Sequence, residues 1–204
     1  MKILYIDPVF GISGDMMIGS LIDSGVPFDA LEALVRKISP DAPSMKPVRL
    51  TEGVISGIHL EIGQSDRFYT ISEMEQVMGS IDVEKKVRDD ALGMLSLIVA
   101  AESKIHGMSR DELHLHELSH IDTVIDLLCV AYGVRFLGAD RVFCGPVPCG
   151  SGTITTSHGS IPNPPPVTLE ILRGHPLVFY GESLELTTPT GAAIVAHYTE
   201  PVGR

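Results

Sequence analysis

Clusters of positive charge are missing from this 204-residue chain, which carries 26 acidic and 15 basic side chains and a formal net charge of −11. Proteins that bind the phosphate backbone of DNA or RNA need such clusters, so we expect no nucleic-acid partner. Long apolar runs are also missing, since the longest apolar helical segment, residues 91–101, is too short to span a bilayer. Asp7 and Pro8 interrupt the start before the apolar core of a signal peptide develops. We therefore expect no membrane partner.

Cysteine is scarce and odd in number, at positions 129, 144 and 149. A disulfide framework is not expected from three cysteines in a chain of this length, which predicts a reduced, cytoplasmic location. Cys144 and Cys149 stand in Cys-Gly-Pro-Val-Pro-Cys, which lacks the tight spacing of a structural zinc site. We interpret them as core residues, with a soft metal ligand as the alternative.

What the sequence contains is a globular mixture of helix and strand patterns, with 44% hydrophobic and 20% charged residues. Helices are predicted over residues 14–24, 27–38, 82–106, 119–137 and 167–173 and from Pro189 onward. Strands are predicted over residues 2–7, 48–50, 54–62, 141–144, 152–156 and 177–180, the first of them buried. The pattern predicts an α/β (mixed α+β) fold, a single domain over residues 1–204 with a mixed, partly antiparallel sheet and flanking helices.

The segment richest in metal-ligand side chains lies in the middle of the chain. If residues 113–117 are extended, His114 and His116 point to one face, because side chains alternate along a strand. Asp122 and Asp126 share a face of the following helix, whose other positions are almost all apolar. Imidazole with carboxylate favours zinc, nickel or iron over magnesium or calcium. We predict these four side chains as metal ligands; the alternative is two exposed histidines and a helix cap.

A second polar set lies where the first predicted strand gives way to a helix. Asp7 ends the strand, and Gly-Ile-Ser-Gly-Asp at 11–15 forms the turn. Ligands of α/β proteins bind at such points, and the amides of a helix start can hold phosphate. We predict that Asp7, Ser13 and Gly14 bind phosphate, with a metal ion bridging to it from Asp7 or Asp15. The alternative is that Ser13 and Asp15 only cap the helix.

Two later segments have similar features. Thr188, Thr190 and Gly191 stand at a predicted helix start and are candidates for phosphate binding, although a cap on that helix explains Thr188 equally well. The glycines of residues 150–153 allow a ligand to approach the backbone closely. His158 follows as a candidate proton carrier, the alternative being an exposed loop histidine.

Taken together and in this order, these motifs resemble the family of nickel insertion proteins that mature the lactate racemase cofactor. The matching stretches, which run nearly end to end, are residues 6–7, 11–16, 101–107, 114–117, Asp122, Asp126, 150–153, 158–159 and 186–192. Family members usually have Gly-Ala where this chain has Ser119-His120. They also usually carry a C-terminal domain that binds a cytidine nucleotide. The resemblance therefore implies that residues 1–204 are the N-terminal domain and that this C-terminal domain is absent.

The resemblance implies an enzyme, a nickel chelatase or cyclometallase of the lyase class. Its reaction is the CTP-dependent insertion of Ni²⁺ into pyridinium-3,5-bisthiocarboxylic acid mononucleotide, with CTP bound as a Mg²⁺ or Mn²⁺ complex by the missing domain or a partner chain. His114, His116 and Asp122 would hold or hand over nickel. Glu117, His158 and Asp15 are the catalytic candidates, with Glu117 as base or ligand.

Two other functions fit the same residues. One is a nickel-binding scaffold without activity of its own, because the nucleotide domain is missing. The other is a metal-dependent phosphoesterase that uses Asp7, Asp15, His114 and His116 as ligands. A homo-oligomer is compatible with all three functions.

Overall fold

The computed structural model describes residues 1–39, 42–63, 65, 67–156, 159–181 and 183–201. Its α-helices are α1 (Gly14–Asp23), α2 (Phe28–Ile38), α3 (Ile71–Ser80), α4 (Lys85–His106), α5 (Ile121–Leu137), α6 (Pro166–Ile171) and α7 (Pro189–Tyr198). Short 3₁₀ helices lie at Arg110–Glu112 and His116–Ser119. The strands are β1 (Ile3–Ile6), β2 (Met45–Glu52), β3 (Ile55–Ile62), β4 (Arg141–Cys144), β5 (Val147–Cys149), β6 (Thr153–Thr156), β7 (Gly159–Pro162) and β8 (Leu177–Phe179).

The mixed α/β class and the mixture of strand directions are confirmed. Among the described residues, however, the strands form four two-stranded sheets rather than one: β1–β4 and β5–β8 are parallel, and β2–β3 and β6–β7 are antiparallel. The prediction that β1 is buried is wrong. With β4 as its only described neighbour, β1 leaves one face uncovered, so Ile3 and Tyr5 are exposed and Ile6 alone is buried.

Contacts divide the chain into two compact units, each built from separate stretches of sequence. The first unit comprises residues 1–13, 93–117 and 139 onward, and the second comprises residues 14–92 and 118–138. The sequence contains no linker or composition shift that predicts this division. Long-range pairing produces it, since β1 joins β4 in register, Ile3 opposite Arg141.

The core of the second unit is α5, which is buried on nearly all sides, as a helix without a polar face should be. Helices α1, α2 and α3 pack against it, and α1 also packs on β3. Close packing depends on small residues: a Cβ at Gly133 would lie 2.8 Å from Leu21 Cδ1. Gly138 ends α5 with a left-handed backbone, φ 65°, which glycine adopts without steric cost.

In the first unit, two segments from opposite ends of the sequence are joined by their backbones. The Ile12 amide donates to the Leu186 carbonyl at 3.0 Å, and the Thr188 amide donates to the Ile12 carbonyl at 3.2 Å. Helix α7 packs on α6 and β4. Among the described residues, no helix combines the length and the apolar character needed to cross a membrane.

Candidate functional site

Three of the predicted aspartates belong to the second unit and lie within the first two turns of helices α1 and α5. Asp15 lies in the first turn of α1, Asp122 in the first turn of α5, and Asp126 one turn further along α5. Negative side chains are favourable at helix starts because the helix dipole is positive there. Asp122 is exposed and Asp15 is half-buried.

Asp126 is the unusual member of this carboxylate group. Its Oδ1 atom is buried and has no hydrogen-bond partner among the residues that the structure describes. Burial raises the pKa of Asp126 well above its usual range, and the neighbouring charges of Asp15 and Asp122 raise it further. The group therefore has an affinity for a proton or a cation that an exposed aspartate lacks.

Gly14 allows α1 to begin directly against Asp126. A Cβ at this position would lie 2.0 Å from Asp126 Oδ2 and 2.5 Å from Asp126 Cβ, closer than any side chain tolerates. The glycine predicted to bind phosphate thus makes room for a carboxylate. Its phosphate role stays a prediction, as does that of Ser13.

His114 and His116 lie in the first unit, in the stretch of sequence that follows α4 and precedes α5. Leu113 and Leu115 are buried and the two histidines are exposed, which is the alternation expected of extended backbone. The prediction that the extended stretch runs to residue 117 is nevertheless wrong. His116 has φ 47° and begins a 3₁₀ helix, so the alternation ends there.

The four predicted metal ligands do not form a ready-made site. In the described part of the chain, no three His, Cys, Asp or Glu side chains form a group that could hold a metal ion. His114 and His116 belong to the first unit, whereas Asp122 and Asp126 belong to the second. Their shared role as ligands therefore stays a prediction.

His106 and Glu102 received no role from the sequence. The structure places the His106 ring beside His116 and pairs His106 with Glu102. His106 Nε2 lies 3.1 Å from the Glu102 carboxylate, one turn earlier on α4. The His106 ring centre is 5.9 Å from that of His116. The i,i+4 spacing of Glu102 and His106 was the available signal, since such residues face each other on a helix.

Glu117 influences the pKa of another carboxylate of the first unit, that of Glu185. Burial raises the pKa of Glu185, and the charge of Glu117 raises it further. Glu117 itself is exposed, at the second position of the 3₁₀ helix that His116 begins. The role of Glu117 as a base stays a prediction.

His120 packs against an aromatic ring. Its ring centre lies 4.5 Å from that of Phe68, and the backbones of these two residues form an isolated antiparallel bridge. The Tyr69 amide strengthens this contact by donating to the Ser119 carbonyl at 2.7 Å. His120 therefore holds the segment before α3 against the start of α5.

The predicted phosphate site at α7 is largely occupied by the chain itself. The Thr188 hydroxyl accepts a hydrogen bond from the Gly191 amide at 3.1 Å, and a Cβ at Gly191 would lie 2.0 Å from the Ile12 carbonyl oxygen. Pro189 has no N–H, and the Ala192 amide donates to the Thr188 carbonyl. The capping alternative is confirmed for Thr188. Of these amides, at most that of Thr190 is left for a ligand.

Gly11 serves packing in the same way, because a Cβ there would lie 1.8 Å from the Leu186 carbonyl oxygen. Asp7 is exposed at the end of β1. Burial raises the pKa of Cys144 to about 11, and the charge of Asp7 contributes. His158 lies outside the described residues, so its role as a proton carrier stays a prediction.

A family model described as "Nickel insertion protein" matches residues 4–204. Relatives named pyridinium-3,5-bisthiocarboxylic acid mononucleotide nickel insertion protein occur in Clostridium kluyveri (37% identity, 96% of this chain and 53% of the relative), Geobacillus kaustophilus (35%, 100% and 52%) and a Nocardioides species (34%, 96% and 50%). The chain spans about half the length of these curated relatives. No solved structure matches it.

Fold and side chains together define a mixed α/β protein that presents imidazoles and carboxylates at helix ends and in a short connecting segment. The family match covers nearly the whole chain. This chain belongs to the nickel insertion protein family.

Proposed function

We propose that this chain acts in the insertion of nickel into pyridinium-3,5-bisthiocarboxylic acid mononucleotide, as the N-terminal part of the inserting enzyme. The observation that supports the proposal most strongly is the family match over residues 4–204, since relatives at 34–37% identity have this activity in their names. Because the chain covers about half of each relative, the complete reaction is proposed to need the other half, in the same polypeptide or as a partner chain.

In this proposal nickel is a substrate that the protein receives and passes on. The exposed side chains of His114 and His116 take up the ion, and Asp122 and Asp126 supply carboxylate oxygens during transfer. The pyridinium ring loses one C–H proton as a carbon–nickel bond forms and the two thiocarboxylate sulfurs bind the metal. Glu117 accepts that proton, with Asp15 and His158 as the other candidates for proton transfer.

CTP and its Mg²⁺ or Mn²⁺ ion are assigned in this proposal to the other half of the enzyme. The present chain would hold the phosphate of the mononucleotide through Asp7, through the turn at Ser13 and Gly14, and through the Thr190 amide. The capped start of α7 leaves Thr188 and Gly191 a supporting role in that binding.

Nickel titration tests the first step. We expect the double variant His114→Ala/His116→Ala to bind Ni²⁺ at least about 10-fold more weakly than the unchanged chain by isothermal titration calorimetry, because each imidazole supplies a strong nitrogen ligand. His59→Ala, at an exposed position of β3, is the matched control and should leave the affinity unchanged. Equal affinity in all three proteins would overturn the assignment of the histidines.

A reconstitution experiment tests the whole reaction. The chain is mixed with the pyridinium mononucleotide, Ni²⁺, CTP and Mg²⁺ or Mn²⁺, with and without the C-terminal half of the Clostridium kluyveri relative. Nickel bound covalently to the nucleotide is measured, and we expect it only when both halves are present. Nickel binding without insertion in the complete mixture would favour the scaffold function. Release of phosphate from simple esters without nickel would favour the phosphoesterase.

A further inference from the structure

The last turn of α4 presents a histidine whose orientation is fixed by a carboxylate. Glu102 is buried, with 8% of its surface exposed, and its carboxylate lies 3.1 Å from His106 Nε2. The His106 side chain is 29% exposed, so one edge of the ring faces Glu102 while another part of it reaches solvent. A carboxylate beside Nε2 favours the tautomer that carries its proton on that nitrogen.

His116 is held beside this pair in a backbone conformation that non-glycine residues rarely adopt. Among the described residues, it is the one non-glycine with a positive φ, at 47°. Such conformations persist where the surrounding structure enforces them, and they concentrate at functional sites. The result is an imidazole whose centre lies 5.9 Å from that of His106, with 37° between the ring planes.

The separation of the rings suits a shared metal ion. A nitrogen–metal bond of about 2.0–2.1 Å puts each ring centre about 3.2 Å from the ion, so two imidazoles at the right angle of square-planar or octahedral Ni²⁺ have centres about 4.5 Å apart. The same bond length sets an upper limit of about 6.4 Å, for two rings on opposite sides of the ion. The observed 5.9 Å lies between these values.

We propose that His106 and His116 form a two-imidazole acceptor site for Ni²⁺, and that Glu102 is the positioning residue that orients His106. The inference rests on the proposed function and adds to it two residues without a previous role. Metal-binding histidines typically donate their second ring N–H to a carboxylate, which is the relation of His106 to Glu102. Two protein ligands leave coordination positions for water or substrate sulfur, which suits an ion that must be passed on.

Nickel affinity of single and double variants tests the shared ion. We expect His106→Ala and His116→Ala each to weaken Ni²⁺ binding by about 10–100-fold, and the double variant to lose little more, because both changes remove one site. His59→Ala serves again as the control. Unchanged affinity for His106→Ala, with weaker binding for His116→Ala, would overturn this inference and leave the proposed function standing. Unchanged affinity for these variants and for His114→Ala would overturn the nickel ligands of the proposed function itself.

A measurement on the unchanged protein guards against variants that fail to fold. Ni²⁺ is paramagnetic, so substoichiometric addition should broaden the ring signals of His106 and His116 in ¹H–¹⁵N spectra before those of His59. Equal broadening of all three histidines would contradict the shared site.

Glu102→Gln separates positioning from structural support, because glutamine keeps the size and a hydrogen-bond acceptor but removes the charge. We expect about 10-fold weaker Ni²⁺ binding, an unchanged melting temperature, and a shift of His106 away from the Nε2–H tautomer in ¹⁵N spectra. An unchanged tautomer with unchanged affinity would remove Glu102 from the site.

Discussion

The contact between Gly14 and Asp126 shows how a single hydrogen atom in place of a side chain can set the geometry of a carboxylate group. The first residue of α1 lies directly against Asp126, whose Oδ1 atom is buried and has no described partner. A larger residue at position 14 would have to push Asp126 away from Asp15 and Asp122, or push α1 off α5.

Gly14→Ala therefore should destabilise the protein. Overpacking of this kind typically costs about 1–3 kcal/mol, and we expect that loss in the free energy of unfolding measured by urea denaturation. Gly79→Ala is the matched control, since Gly79 lies in α3 and a Cβ there meets nothing within 4 Å. The control should be neutral or gain up to about 1 kcal/mol from the better helix propensity of alanine. Equal stability of the two variants would contradict the close contact.

Asp126 should make stability depend on pH. The unfolded chain releases this proton near the usual pKa of an aspartate, whereas burial and the charges of Asp15 and Asp122 raise the pKa in the folded protein. Between these two values the unfolded state binds fewer protons, so the free energy of unfolding falls as the pH rises.

Asp126→Asn should remove this dependence. At pH 7–8 we expect the free energy of unfolding of the variant to exceed that of the unchanged chain by about 1–3 kcal/mol, which raises its melting temperature. Near pH 3 we expect no difference in stability. Asp111→Asn removes the same charge from an exposed position and should give no such gain. A gain that is the same at both pH values would rule out titration of Asp126 as its cause.

At the scale of the element, α7 shows how a helix start that resembles a phosphate site can use most of its own amides within the chain. The Thr188 hydroxyl caps the Gly191 amide, and Pro189 supplies no N–H. The sequence offered both interpretations, and the cap hydrogen bond together with the Ile12 backbone beside Gly191 favours the cap.

Thr188→Ala should cost about 1 kcal/mol of stability because it removes the cap, whereas Thr188→Ser should retain most of it. Thr155→Ala, on an exposed strand position, is the control for loss of a threonine and should change stability little. Thermal denaturation with and without inorganic phosphate provides the second readout. Equal losses for Thr188→Ala and Thr155→Ala would contradict the cap, whereas a stabilisation by phosphate that Thr188→Ala abolishes would support the role of Thr188 in the proposed phosphate binding.

Elements with a strong local signal were predictable from sequence. The predicted 141–144 strand and the helix from Pro189 agree with β4 and α7, and the predicted 82–106 helix differs from α4 only in its first turn. Helix α3 was missed, although Thr70 and Glu73 form a complete capping box at its start. Strands β5 and β7 were missed because they are short and rich in proline and glycine, and their pairing comes from partners elsewhere in the chain.

The candidate site was less predictable than the elements, because it depends on contacts between distant segments. The alternation of Leu113, His114 and Leu115 could be read from the pattern. The left-handed turn at His116 could not, since no glycine or asparagine marks it. The approach of His106 to His116 depends on how the chain turns back after α4, which no local pattern specifies.

At the scale of the whole molecule, the three cysteines remain thiols in protected positions. Cys129 and Cys149 are buried and Cys144 is partly buried. Burial raises the pKa of each thiol, that of Cys144 to about 11, with a contribution from the charge of Asp7. Thiolate is the reactive form, so at pH 7.5 only about one Cys144 side chain in a few thousand is ready to react.

The native protein should therefore react very slowly with iodoacetamide at pH 7.5, and the unfolded chain should take up three equivalents. Cys144 should react first as the pH is raised. Asp7→Asn should accelerate it, because removing the negative charge lowers the pKa. Mass spectrometry of the labelled peptides measures the order. Rapid labelling of native Cys129 would contradict the buried core of α5.

The division of the chain into two units also sets the order in which they can form during synthesis. All segments of the second unit have been translated once residue 138 is added, whereas β1 must wait for β4, and Ile12 for Leu186 and Thr188. The first thirteen residues therefore leave the ribosome long before their partners exist. Nascent chains should acquire protease resistance in two stages, with the second unit protected before the amino-terminal strand.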